Sequence, residues 1–439
     1  MTTLLAFVFV LGVLVFFHES GHFLTAKWVG VRVKTFSLGF PPKLLGRKWG
    51  ETEYVIGLLP LGGYVKMAGD NPAESSGDPA EFLSRSKWER LAILFAGPLA
   101  NLVLAIVVLT ILFMVGLERP AGLEDPPVIR YVVRDSPAEK AGLAPGDQIL
   151  EIEGAKTETW SEVFDHVLVS GNETLTVAVL RNGERIETEL EVAARKEDGA
   201  GVAGFVPALQ PEVARLTPGS PAEQAGIQAG DVITKVGGNP ILHVDQLIAE
   251  ITARGGSEIE VEVLRGQESL SFNLTPQKTE GRWLIGISQF SPPPATIERY
   301  GSPVQAFGAA SKEIVRFTRM TFVILGKLVT GRASMKNLSG PIGIAQVSGE
   351  TARQGPTVYF WFMALLSVNL AVVNLLPIPL LDGGHMAIIA LEGLAGRDFS
   401  LQLKERILQV GFVMLLLLMV TVIYVDLSKI EAIGKYLPW

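Results

Sequence analysis

The stretch VLVFFHESGHFLTAKW, Val13 to Trp28, decides how this chain is read. It begins as an apolar helix suited to lipid, yet His18, Glu19 and His22 stand inside it. In a helix, positions i and i+4 lie on one face, so both histidines of H-E-x-x-H can bind a single metal ion. Glu19 is turned by about 100° from His18, within reach of a water on that ion. This is a zinc-hydrolase arrangement. The bland alternative is a pair of hydrogen-bonded core histidines beside a glutamate in a polar cavity. With only 5 histidines in the chain a chance match is rare. Ionisable groups inside a membrane span are also costly and mark function.

The rest of the composition fits a membrane setting. Of 439 residues, 48% are hydrophobic, and the mean hydropathy is +0.34. Four stretches, about Leu4–Ala26, Leu91–Leu117, Phe360–Leu381 and Ile407–Tyr424, are apolar for the roughly 17–25 residues that a bilayer requires. The first is read as a span rather than a cleaved signal. Its leading MTT has no Lys or Arg, and no small-residue cleavage site follows the apolar run. The absence of cysteine excludes disulfides, thiolate metal sites and a cysteine nucleophile. At a net charge of −7 no nucleic-acid partner is expected.

Lys and Arg set the orientation. The loop Lys27–Arg90 holds 10 of them against 7 Asp and Glu, whereas Glu118–Glu350 holds 22 against 31. The short basic loop is expected in the cytoplasm, with Arg397, Lys404 and Arg406 on the same side. The long acidic segment then lies outside, and the first and third spans run in the same direction.

That acidic segment contains a repeat. SPAEKAGLAPGDQILEIEG (Ser136–Gly154) and SPAEQAGIQAGDVITKVGG (Ser220–Gly238) share 10 of 19 positions at an offset of 84 residues, so one module is present twice. Each copy reads as a strand, a Ser-Pro turn, a short helix, a Gly-Asp turn and a further strand. The two resemble bacterial PDZ domains, which bind an extended peptide at a sheet edge. Peptide C-termini are therefore candidate partners, and a role as mere spacers or steric shields stays open. Ser302–Val329 has helical apolar spacing but too many charges for a span. It is expected on the membrane surface or packed on the modules.

Two histidines and a water leave one protein ligand missing. At the end of the third span stands NLLPIPLLDGGH, with Asp382 just past the apolar run. Asp382 reaches the depth of His18 and is the natural third ligand, with His385 as competitor. Asn369 and Asn374 are polar within that span, and Pro377 and Pro379 disrupt its helix. Unpaired backbone at this depth is tolerated only beside protein or a wet cavity. The alternative is a simple kink with asparagines bridging helices.

Together these residues resemble the site-2 protease family of intramembrane zinc metalloproteases. The likeness rests on HESGH in the first span, NLLPIPLLDGG in the third, GYVKM (Gly63–Met67) in the cytoplasmic loop and two tandem PDZ modules between spans two and three. The resemblance implies that His18, His22 and Asp382 bind one zinc ion and that Glu19 is the general base. It implies that Asn369, Asn374, Pro377 and Pro379 contact or position the substrate. TEYVIGLLPLGGYVKMAG (Thr52–Gly69) alternates around a Pro-x-Gly-Gly turn, a hairpin signal. It looks like the family's membrane-associated β-loop, in which Gly63, Tyr64, Val65, Lys66 and Met67 would pair with an extended substrate. SGPIGIA (Ser339–Ala345) also looks like a family segment, with no chemistry assigned.

The expected architecture is a polytopic α-helical membrane protein with four spans, a cytoplasmic membrane-associated β-hairpin and two inserted periplasmic PDZ domains. The expected division is 1–117 for the first two spans and the hairpin, 126–198 and 199–290 for the modules, 291–358 for an amphipathic linker, and 359–439 for the last two spans. The resemblance further implies the bacterial inner membrane and lipid as a partner. The implied substrate is a single-span protein of anti-sigma-factor type, already trimmed outside, in an envelope-stress response. Two other readings compete. A membrane-anchored PDZ adaptor with a degenerate hydrolase core would not need His18, Glu19, His22 and Asp382 together. A transporter of broken helices fits poorly with four spans and no inverted repeat.

Overall fold

The computed structural model describes residues 2–71, 75–195, 199–207, 210–279, 281–291, 295–331 and 339–429. In chain order the helices are α1 (Thr2–Trp28), α2 (Lys87–Val115), α3 (Pro137–Lys140), α4 (Trp160–Leu168), α5 (Pro221–Ala225) and α6 (Val244–Arg254). Then follow α7 (Pro303–Val329), α8 (Pro341–Gln354), α9 (Pro356–Leu375), α10 (Asp382–Leu394) and α11 (Leu401–Ser428). The chain divides into two compact units. One comprises Met1–Leu117, Ile297–Val329 and Ser334–Trp439, and the other Glu118–Thr296 and Thr330–Ala333.

In the first unit α1, α2, α9 and α11 are long and apolar enough to cross a membrane. α1 and α9 run in the same direction. The Tyr359 hydroxyl donates to the Ala6 carbonyl at 2.7 Å near their starts, and Asn374 meets His18 near their ends. α2 runs against both, and its start is fixed by a capping box between Ser86 and Glu89. α1 and α2 touch through Gly21, where any side chain would run into the Ala96 carbonyl.

Two expectations change here, and one is met: the third apolar run is interrupted where Pro377 and Pro379 stand. α9 stops at Leu375 because Pro377 and Pro379 supply no N–H and clash with the preceding turn. The chain then turns through Leu380 at φ +80° and restarts as α10 at Asp382. Gly383 and Gly384 allow the fold-back, since a side chain on either would overlap the carbonyls of Leu375 and Ile378.

α7 packs on the spans. Ala306, Ala310 and Phe317 are buried against Leu109 and Phe113 of α2 and Ala364 and Val368 of α9. The small residues four apart permit that approach, and Thr321 donates to Asn369 Oδ1 at 2.7 Å.

The hairpin also differs. Its turn is at Gly50–Glu51, between β1 (Val33–Trp49) and β2 (Thr52–Met67), rather than at Pro60–Gly63. Residues 43–49 pair with 52–57, and 33–38 pair with 63–67 from Val33↔Met67 to Leu38↔Gly63. The pairs Thr35↔Glu53 to Leu38↔Ile56 advance together in both segments. Residues 35–38 thus lie between the two halves of β2, which do not pair with each other. The Pro-x-Gly-Gly turn reads correctly as a bend, but the strand that fills it comes from before Pro41.

Ser339–Ala345 leads into α8. The buried Asp426 of α11 accepts from the N–H groups of Gly340, Ile342 and Gly343 at 2.9, 3.0 and 3.0 Å. A carboxylate there satisfies the orphan donors of the helix start and complements its dipole.

The second unit holds the repeat. Each module forms a four-stranded antiparallel sheet: 155–156, 148–152, 174–181 and 184–191 in the first, and 239–240, 232–236, 259–265 and 268–274 in the second. Trp160, Val163, Ile149 and Val177 fill one core, and Leu247, Ile251, Ile233 and Val261 the other. Ser136 and Ser220 cap α3 and α5 through Glu139 and Glu223. The Gly-Asp turns are locked alike. Arg181 reaches both oxygens of Asp147, each at 2.7 Å, and Arg265 reaches those of Asp231 at 2.7 and 2.8 Å. Burial alone would raise each aspartate's pKa, but the guanidinium bonds and the N–H of Ala144 or Gln228 outweigh it and hold both below the usual carboxylate range.

Candidate metal centre

α1 presents His18 and His22 toward α2 and α9, and α10 brings Asp382 to them. His18 Nε2 is 3.2 Å from His22 Nε2, and Asp382 Oδ2 is 3.1 Å from the former and 3.4 Å from the latter. The three ligand atoms lie within metal-holding distance of one another. Both histidines and Glu19 are buried. Asp382 Oδ2 is buried too and makes no hydrogen bond. Two imidazole nitrogens and a carboxylate oxygen therefore converge on one point.

The spacing matches an ion. In a tetrahedral site with bonds of about 2.0–2.1 Å, ligand atoms stand about 3.3 Å apart. His22 Nδ1 lies 2.8 Å from the Ile93 carbonyl. That acceptor fixes the ring proton on Nδ1 and leaves Nε2 free as a ligand. Asn374 Nδ2 is 3.4 Å from His18 Nε2.

These groups open on a cavity of about 730 Å³ whose wall includes His18, Glu19, His22, Asn374, Asp382 and His385. The end of β2, with Gly62, Gly63, Tyr64, Val65 and Met67, also lines it. Gly63 is pressed against α1, where a Cβ would come within 2.9 Å of Glu19 Cγ and 2.6 Å of the Ser37 carbonyl. A side chain at that position would push the strand off Glu19.

The comparisons with known proteins agree with this chemistry. The family model described as Peptidase family M50 matches residues 6–418. Regulator of sigma-E protease RseP of Escherichia coli (strain K12) is 35% identical over 97% of this chain and 98% of its own length. The chain belongs to peptidase family M50.

It is a metalloprotease, and its cofactor is zinc. Protease RseP of Yersinia pestis is 34% identical over 98% of this chain and 99% of its own. A protein of Xylella fastidiosa (strain 9a5c), whose name describes a zinc metalloprotease, is 38% identical over 94% of this chain and 96% of its own. Among solved structures, the PDZ domain of an SdrC-like protein of Listeria monocytogenes is 20% identical and covers 19% of this chain and 86% of that one. Its TM-score of 0.17 carries no argument about the modules.

Not every residue singled out in the sequence meets at the cavity. Asn369 points to Thr321 of α7 and does not line it. Pro377 and Pro379 shape the turn ahead of Asp382, and Pro379 packs on Gly411 of α11. Lys66 is also absent from the wall, although its neighbours Val65 and Met67 are in it.

Two residues of α2 escaped the sequence reading. A Cβ on Gly97 would overlap His22 Nε2 and come within 2.9 Å of His18 Cε1. Asn101, fully buried one turn on, stands 3.4 Å from His18 Nδ1. The same signal that marks Asn369 and Asn374, an amide inside an apolar run, was present at Asn101.

Proposed function

We propose that this protein is an intramembrane zinc endopeptidase that cuts the transmembrane segment of a single-span membrane protein. The carrying observation is the convergence of His18, His22 and Asp382 beside Glu19, inside an apolar helix and facing a cavity walled by a strand edge. On this reading His18, His22 and Asp382 hold the ion. Zinc, when bound, lowers the pKa of a water toward about 7 and polarises a peptide carbonyl. Glu19 takes the proton of the attacking water and delivers it to the leaving amine. The Asn374 amide donates to the oxygen that gains charge.

A helical substrate hides its carbonyls in its own hydrogen bonds, so it must be unwound before attack. Among the described residues the β1–β2 sheet has no further strand beyond residues 63–65. An extended substrate segment added there would lie across Glu19. Helix-breaking residues in the substrate span should therefore speed cleavage, and replacing them with Leu should slow it.

We place the chain in the bacterial inner membrane with the repeat modules in the periplasm, following the charge of the Lys27–Arg90 loop. We propose a pre-trimmed anti-sigma factor as substrate, a reading in keeping with relatives named as regulators of sigma-E. We read the two modules as PDZ domains that filter ectodomain size or bind new C-termini. The test is cleavage of a single-span reporter in liposomes by wild type and Glu19→Gln, with zinc measured per chain. One zinc in both and cleavage only in wild type supports the proposal, whereas full cleavage by Glu19→Gln would sink it.

A further inference from the structure

A zinc ligand histidine needs two things: a lone pair on the nitrogen facing the ion, and an acceptor for the proton on the other nitrogen. His22 has its acceptor in the Ile93 carbonyl. His18 presents Nε2 to the ligand cluster, so its proton belongs on Nδ1, and the group facing Nδ1 is the Asn101 amide at 3.4 Å. With the amide nitrogen turned to the ring, Asn101 Oδ1 is buried and has no hydrogen-bond partner. Turning the amide by 180° about its last bond gives Oδ1 a partner and removes the donor-to-donor contact with the ring, with the NH₂ taking the buried place that Oδ1 had. Oδ1 then accepts from Nδ1–H, and the NH₂ leaves the ring nitrogen. The two ends of an asparagine amide are assigned by such networks.

Building on the zinc-protease reading, we propose that Asn101 is a positioning residue that locks His18 in the zinc-ready tautomer and orientation. Its place in the fold supports this. Asn101 is fully buried in α2, four residues after Gly97, the glycine that makes room for both imidazoles. Its backbone carbonyl accepts from the Ser367 hydroxyl of α9 at 2.7 Å. α9 thereby holds the helix backbone at Asn101 while the amide holds the histidine. The site thus has two outer acceptors, a carbonyl for His22 and an amide for His18, both supplied by α2.

The test compares shape-preserving variants of the full chain in detergent. Zinc affinity is measured by competition with a chromophoric chelator, and unfolding temperature is measured on zinc-stripped protein. Asn101→Leu keeps the size but has no acceptor, and should weaken zinc about 10- to 100-fold. Asn101→Asp keeps an acceptor and should hold zinc within about threefold of wild type or more tightly. Ser367→Ala, which removes only the backbone contact, should leave zinc affinity within about threefold. If Asn101→Leu does not fold, Asn101→Ala takes its place in the same comparison. Wild-type affinity in the Leu or Ala variant overturns the proposal, as does an equal loss in the Asp and Leu variants. Failure of wild type itself to hold zinc would instead overturn the protease reading.

Discussion

Aspartates with a buried carboxylate oxygen are used in at least two ways among the described residues. Asp147 and Asp231 sit at the Gly-Asp turns of the modules, each fully buried and each clasped by an arginine and a backbone N–H. Asp382 sits at the start of α10 with one buried oxygen that no donor reaches and two imidazole nitrogens as its neighbours. A fold that needs a carboxylate for its own stability completes its hydrogen bonds. A fold that leaves one open beside other acceptors is arranged for something else to complete it. The contrast separates structure from function within a single residue type.

Removing the charge chemistry from the membrane site should cost activity and little stability. Glu19→Gln is expected to lower kcat on the reporter by about 10³-fold, with zinc content and the unfolding temperature of the zinc-stripped protein unchanged. A large drop in that temperature would place Glu19 among the structural carboxylates and break the contrast. Gly97→Ala probes the space around the site rather than its charge. The added methyl would overlap His22 Nε2, so zinc affinity should fall by about 100-fold, the upper end of what misplaced ligand support costs. Chelator competition reads this directly, and retained affinity would mean that the helices part easily.

How far the sequence discloses each region follows from the range of the interactions. HESGH is legible because the two proposed ligands are four residues apart on one helix with the proposed base between them, and the repeat because it compares the chain with itself. Asp382 needed the topology as well, since its meeting with His22 depends on α1 and α9 running in parallel. The strand 33–38 between the halves of β2 was not legible. Its partners are set by a bend near Pro41 and Pro42, and alternation within Thr52–Gly69 suits a simple hairpin equally well. α7 was misplaced for a related reason. Its charges argued against lipid, and nothing local shows that Ala306 and Ala310 fit against α2 and α9. Gly97 carries no local signal, because only the imidazoles packed against it set it apart from any other glycine in an apolar run.

The modules should respond in the opposite sense. Asp147→Ala leaves Arg181 with the Gly142 carbonyl but no carboxylate, and the Ala144 N–H without an acceptor. It should destabilise the first module by about 2 kcal/mol, seen as a lower urea midpoint of the β-rich transition in circular dichroism. Asp382→Asn should not lower that midpoint at all. Equal losses from both substitutions would erase the distinction between the two kinds of aspartate.

The smallest effect is in the pH dependence of the same transition. Asp147 and Asp231 are held below the usual carboxylate range in the folded modules, whereas the unfolded chain titrates near about 3.9. Between those values the unfolded state binds more protons, so stability rises with pH. The contribution is complete above the unfolded value and is lost as the pH falls through the depressed folded one. The urea midpoint should thus be flat from neutral pH down to about 5 and fall below about 4. Arg181→Met with Arg265→Met removes the clasp that sets the shift, and burial would then push both aspartates up. In the doubly substituted protein the folded state then binds the extra protons, so these two aspartates should add stability as the pH falls instead of losing it, and the drop below about 4 should shrink. An unchanged acid limb would mean that other carboxylates set the acid stability of the modules, and that the arginine clasps matter for shape alone.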